Sequence, residues 1–219
     1  MTKTNDILNR LRAAGSAANV AGMARYGIRP AKSYGVSTPF IRSIARELGR
    51  DTGLASALWS TNILEARMLA AMIADPLQIT EQEIESWVRE FDCWSVCDSS
   101  CIGLLWKTPF AWRKVREWSR REPEYERRAA FALLAGLAVH DKKATDNQFR
   151  SALRLIVKAA GDDRNFVKKA VNWALRQIGK RNAELREAAI DVAESLAKSD
   201  SRSARWIGHD ALRELRRTT

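Results

Sequence analysis

Residues 168–181 read KKAVNWALRQIGKR, and residues 204–215 read ARWIGHDALREL. The tripeptide Ala174-Leu175-Arg176 of the first returns as Ala211-Leu212-Arg213 in the second, 37 residues on, each time in a helical stretch that carries a tryptophan, Trp173 or Trp206. A period of about 37 to 40 residues holding two helices is what HEAT and armadillo-type solenoids show: stacked helix pairs bury their apolar faces against neighbours and curve around an extended concave surface. The expected architecture is all-α, a HEAT/armadillo-like α-solenoid of stacked antiparallel helix pairs forming a single domain over residues 1–219.

The remaining chain reads the same way. A short opening pair, Asp6 to Ala14 and Asn19 to Tyr26, leads into Gly27–Ser37, a loop with glycine and proline and the least helical stretch. Thr38-Pro39 reads as a capping hydroxyl followed by proline at the first helical position, opening a helix to about Leu48. Short helices are expected at about Gly53–Trp59 and Asn62–Ala74, and Thr80 with Glu83 predicts a capping box for the next. Thr108-Pro109 separates the centre of the chain from Phe110–Arg120, and Pro123 starts Glu124–His140. Four helices complete the pattern: Asp146–Ala160, Asp163–Lys180, Ala183–Lys198 and Ser201–Arg217. Strand signals are absent, with no Asn-Gly turn and no alternating β-branched run.

Apolar residues at 46% and charged ones at 29% describe a soluble globular protein. The formal net charge is +11: residues 1–109 carry 12 basic against 11 acidic side chains, residues 110–219 carry 25 against 15. That imbalance makes a polyanion the leading partner, nucleic acid first; an unspecialised basic surface is the plainer alternative. The three cysteines are odd in number and confined to residues 93–101, which implies no disulfide framework and suits a reducing cytosol. Zinc wants four ligands and the chain has two histidines, so no metal is expected. The N-terminus lacks the apolar core of a signal peptide, and the longest apolar run, Ala129 to Val139, is too short to span a bilayer. A cytoplasmic monomer, free of membranes, is the expectation.

Chemistry concentrates in residues 91–106, FDCWSVCDSSCIGLLW. On a helix, Trp94 and Asp98 share one face, and Cys93, Cys97 and Cys101 form a neighbouring stripe about 100° away. The cysteine stripe is expected in the core and the Trp94/Asp98 stripe against a partner; alternatively, Trp94 is a packing residue beside a solvated acid. No GxxxxGK[ST], HExxH or GxSxG motif is present, and no histidine stands near Cys97 to activate it. Trp173, among Arg164, Lys168, Lys169, Arg176, Lys180 and Arg181, has the mix of aromatic and basic residues that suits nucleic acid, cations for phosphates and ring faces for bases. A core tryptophan with lysines in water is the other reading.

Taken together, these segments resemble the AlkD-like DNA alkylation repair family of HEAT-repeat DNA glycosylases. YGVSTPFIRSIARELG is similar to the family's early G-[IV]-x-x-P-x-x-R segment, LWSTNILEARMLAAMIAD to a Leu-Trp…Glu-x-Arg helix, and FDCWSVCDSSC to a Trp-x-x-x-Asp segment. ERRAAFALLA, KKAVNWALRQIGKR and ARWIGHDALREL resemble its later helices. The resemblance implies that Trp94 and Trp173 flank the lesion-bearing nucleotide in a concave DNA-binding face, that Asp98 is the catalytic carboxylate, and that Arg128 is the cleft arginine, with Arg127 as the alternative. Tyr26, Thr38 and Arg42 match positions that approach the duplex, and Lys168, Lys169 and Arg176 join them as backbone contacts. The chain departs from the family in a longer segment between Arg128 and Trp173, and in Asn172, where a small residue is expected. The implied function is a monofunctional glycosylase, without cofactor, that hydrolyses the N-glycosidic bond of cationic N-alkylated purines (the 3-methyladenine and 7-methylguanine class) in double-stranded DNA. The alternatives are a non-catalytic HEAT-repeat protein that binds damaged or branched DNA, and a protein-binding solenoid.

Overall fold

Small polar residues mark the helix starts. In the computed structural model, which describes residues 2–217, the Asp51 carboxylate accepts from the Leu54 amide at 2.9 Å, and Thr80 and Glu83 close a reciprocal capping box. Asn182 and Ser201 cap two later helices in the same manner. Each such bond satisfies one of the amides that a helix leaves unpaired in its first turn. Thr38 departs from expectation. The capping position belongs to Ser37, whose side chain makes no capping bond, and Thr38 and Pro39 lie inside the first turn. Among the described residues every regular element is helical.

The chain divides into two compact units, Met1–Pro109 and Phe110–Thr219. The first holds α1 (Lys3–Ala13), α2 (Ala17–Met23), α3 (Thr38–Leu48), α4 (Thr52–Trp59), α5 (Leu64–Ile73), α6 (Glu81–Arg89) and α7 (Trp94–Gly103). Its centre is α5, buried along nearly its whole length and packed against α3, α4 and α7. Two charged residues sit in that buried helix, each for a visible reason. Glu65, fully buried, accepts from the amides of Tyr34, Gly35 and Val36 and from the Ser33 hydroxyl, at 2.7 to 3.2 Å. It thereby pins the loop that follows α2. Gly35 has φ of +77° there, and a Cβ on it would stand 2.2 Å from the Ser16 carbonyl oxygen, so only glycine fits. Arg67 donates to the Glu90 carboxylate at 2.6 Å and to its carbonyl at 3.0 Å, while its guanidinium lies over Trp59. Trp59 in turn stacks flat on Trp87 of α6. The Glu-x-Arg pair of the sequence is therefore a structural clamp.

The second unit holds α8 (Ala111–Trp118), α9 (Glu124–His140), α10 (Asp146–Ala159), α11 (Asn165–Gly179), α12 (Ala183–Ala197) and α13 (Arg202–Leu215). The central element is α9, continuously buried from Arg128 to Ala138. Helices α9, α11 and α13 pack side by side, α8 lies on α9, and α10 and α12 pack together and against the row. Residues 38 apart meet repeatedly across that row: Lys168 with Trp206, Asn172 with Asp210, and Arg176 with Glu214. Arg128 on α9 bonds the Phe166 carbonyl of α11 at the same separation. A constant offset requires parallel helices, and steps of four keep each partner on one stripe. Behind it, α13 approaches α12 so closely that a Cβ on Gly208 would stand 2.4 Å from the Ala197 amide nitrogen. No helix among the described residues is long and apolar enough to cross a membrane.

Candidate nucleic-acid interface

Helix α7 begins at Trp94, with Cys93 in extended conformation at the capping position. Cys93, Cys97 and Cys101 are all fully buried and unbridged. Burial above all pushes the Cys93 thiol up to about 11, which makes it a packing group and no nucleophile. Trp94 and Asp98, one turn apart on the same side, are both partly exposed. The Trp94 indole N–H donates to the Tyr26 carbonyl at 2.9 Å, which fixes the ring and sets it beside the end of the α2 region. Tyr26 itself is 73% exposed. Two of the residues singled out from sequence, Trp94 and Tyr26, thus meet at the start of α7, and Asp98 follows Trp94 one turn on.

Next to them lies a groove of about 720 Å³ lined by Thr38, Arg42, Arg46 and Arg50 on or just beyond α3, by Ser99 on α7, and by Lys107. No acidic residue lines it among the described residues. Arg42 and Arg46 stand one turn apart on one face of α3, and Arg50 follows just beyond its end. Arg50 caps the end of α5, donating to the carbonyls of Met72 and Ala74 at 3.0 and 2.6 Å. Desolvation, and after it the charge of Arg50, hold the Lys107 ammonium below the usual lysine range. Like charges crowd here with no acid among the described lining residues, an arrangement that a bound polyanion would relieve. Thr38 and Arg42, named from the sequence, line this groove; Arg46, Arg50 and Lys107 line it too and were not named, although Arg46 lies one helical turn from Arg42.

In the second unit, Arg128 is only 6% exposed and its Nη1 donates to the Phe166 carbonyl at 2.5 Å. Its neighbour Arg127 ties two loops together, through Asp162 at 2.9 Å, Glu122 at 3.0 Å and the Arg121 carbonyl at 2.7 Å. Trp173 on α11 is partly exposed, and Lys169, one turn before it on the same side, is exposed. Lys168 and Arg176 belong to the stripe that faces α13. Lys168 stands 5.1 Å from the centroid of Trp206, and Arg176 is paired with Glu214. Asn172, the residue found where a small one was expected, is 2% exposed and donates to Asp210 at 2.7 Å. Burial pushes the Asp210 carboxyl up, but bonds from Asn172 and Arg213 and the charge of Arg176 outweigh it, and the net is below the usual range. Glu214 behaves alike: burial raises it, and Lys180 and Arg176 bring it down further. The described residues contain no cluster of three or more metal-ligating side chains.

No curated protein matches the chain in sequence. Its fold is similar to a solved structure from a family of proteins related to the HEAT-like repeat DNA glycosylases, with affinity for branched DNA structures: 19% identity, 98% of this chain and 96% of that chain covered, TM-score 0.80. That similarity makes the fold an all-α, HEAT-like one. The pattern of the family described as DNA alkylation repair enzyme matches residues 7–215, and the chain belongs to that family.

Proposed function

We propose that the protein is a monofunctional DNA glycosylase that removes cationic N-alkylated purines from duplex DNA, with Asp98 as its electrostatic catalyst. The observation that carries this reading is the face of α7 on which Trp94 and Asp98 stand one turn apart, partly exposed, beside a groove lined by four cations and no acid. The groove holds phosphates and Trp94 contacts the lesion-bearing nucleotide; in the second unit, Trp173, Arg128 and Lys169 are DNA contacts in their own right.

The chemistry needs little machinery. Alkylation at a ring nitrogen leaves the purine cationic, and rupture of the C1′–N bond sends both bonding electrons to the base, which departs neutral. The sugar left behind is an oxocarbenium-like cation, captured at C1′ by water with loss of a proton. A carboxylate at about 4 Å, at an effective dielectric near 20, interacts with that charge by roughly 4 kcal/mol. Felt mainly in the transition state, this is worth about three orders of magnitude in rate. The enhancement suits an already labile bond and is too small for an unmodified nucleoside.

Base release from methylated duplex DNA tests the reading. Asp98→Asn is expected to lower release by about a thousandfold while DNA affinity stays within severalfold. Release unaffected by the substitution sinks the assignment. Tight DNA binding without release by the wild type favours a second reading, a non-catalytic protein that binds damaged or branched DNA, supported by the affinity for branched DNA of the similar solved structure. A protein-binding solenoid is disfavoured by the acid-free groove, and DNA affinity insensitive to salt would revive it.

A further inference from the structure

The second unit holds a pocket of about 670 Å³ that the proposed duplex site does not use. It is lined by Asp163 from the α10–α11 loop, Lys168 of α11, and Ser201, Arg202, Ser203 and Trp206 at the start of α13. Arg202 and Trp206 are four residues apart and point the same way. Both are exposed, Trp206 to 39%, an unusual setting for so large an aromatic. Lys168 rests its ammonium against the indole. Ser203 is 6% exposed and lines the pocket. Ser201 caps the Ala204 amide at the positive end of a helix of 14 residues. The approach to this turn is fixed, because Arg205 donates to the carbonyls of Ser199 and Asp200, both at 2.8 Å.

We infer that this pocket is a second nucleic-acid site, which takes a nucleotide of a single-stranded segment. Its phosphate is received by Lys168, Arg202, the Ser203 hydroxyl and the first turn of α13, and its base lies on Trp206. A ring face bordered by cations suits single strands, whose unstacked bases offer a π-surface whatever their sequence. Asp163 on the rim admits one phosphate and disfavours a second close by, which suits a strand passing through more than a duplex edge. Lys168 lies about 140° around α11 from Trp173, so the pocket and the tryptophan face serve different parts of the nucleic acid. The inference rests on the reading of the protein as DNA-binding and adds a strand to it.

The test compares a blunt duplex with the same duplex bearing a short single-stranded overhang, by fluorescence anisotropy at fixed salt. The overhang is expected to tighten wild-type binding by about tenfold or more. Arg202→Glu and Trp206→Ala should each abolish the gain and leave blunt-duplex binding and base release as in the wild type. Arg202 is exposed and its replacement leaves folding intact, which keeps the test meaningful should the Trp206 variant be unstable. An overhang that adds nothing, or a gain that survives both substitutions, overturns the site while the duplex reading stands. A mononucleotide that binds the pocket as tightly as the overhang overturns it in favour of a free-nucleotide site. A wild type that binds neither duplex overturns both readings together.

Discussion

The N-terminal unit carries 12 basic residues against 11 acidic ones, and the C-terminal unit 25 against 15, yet the acid-free groove lies in the nearly neutral unit. In the C-terminal unit much of the positive charge is answered locally. Arg176 and Lys180 meet Glu214, Arg213 meets Asp210, Arg127 and Arg164 meet Asp162, and Arg216 meets Glu194. In the N-terminal unit the one fully buried acid, Glu65, is occupied by backbone amides, and no acid pairs with Arg42 or Arg46 among the described residues. Net charge therefore says that a polyanion is welcome, and the pairing of individual cations says where. An internal ion pair contributes to holding helices in register; an unanswered cation is left for the ligand.

The contrast is open to direct attack. Arg42→Glu combined with Arg46→Glu should weaken duplex binding by about a hundredfold at moderate salt. It should also flatten the dependence of log affinity on log salt by about 1.8, two phosphate contacts at roughly 0.9 each, as read by anisotropy over a salt series. Thermal unfolding should hardly change, since neither arginine has an ion-pair partner to lose among the described residues. Asn172→Ala should do the opposite: it strips a donor from the part-buried Asp210 and is expected to cost about 2 kcal/mol in urea unfolding while DNA affinity stays unchanged. Arg176→Met is a smaller version, about 1 kcal/mol, because the pair with Glu214 is partly open to solvent. A large loss of DNA affinity in either of the last two variants would break the comparison, for it would make the Asn172 and Arg176 rungs part of the binding surface.

Acid gives the mildest test. The carboxyls of Asp210, Glu214 and Asp162 are held below their usual range in the folded protein by the cations and donors around them, although burial pushes each of them up. A lowered folded value means stability that is present in full above the unfolded carboxylate range, near 4, and is lost as the pH falls through the folded values. Denaturant unfolding should accordingly be flat from pH 7 to about 5 and decline below about 4. Asn172→Ala should reduce that decline, since Asp210 would then be less depressed.

The helices were legible because their signals are local. Thr80 with Glu83 forms the box their spacing predicts, and Glu124–His140 is bounded as Pro123 and the apolar run suggest. Thr38 misled because hydroxyl followed by proline fits two registers, and the chain took the one with Ser37 in the capping position. The carboxylate and ring on α7 were legible as well, since a spacing of four on a helix is geometry and little else. The role of each base on α11 was not. Lys168, Lys169 and Arg176 look equivalent in a list of residues; what separates them is whether a partner waits 38 residues further on, as it does for Lys168 and Arg176. That question concerns packing between helices, and a tripeptide match at 37 residues could raise it without answering it. Asn172, read as an oddity, is one of the rungs.

The even offset between α11 and α13 also bears on how such a chain can change in length. Removing one residue inside α13 would swing everything beyond it by about 100° and present apolar positions to Arg176 in place of Glu214. Copying a whole helix pair would bring acids already aligned with the bases of the helix before. Growth by duplication is therefore the permitted edit, and the row of rungs acts as its ruler.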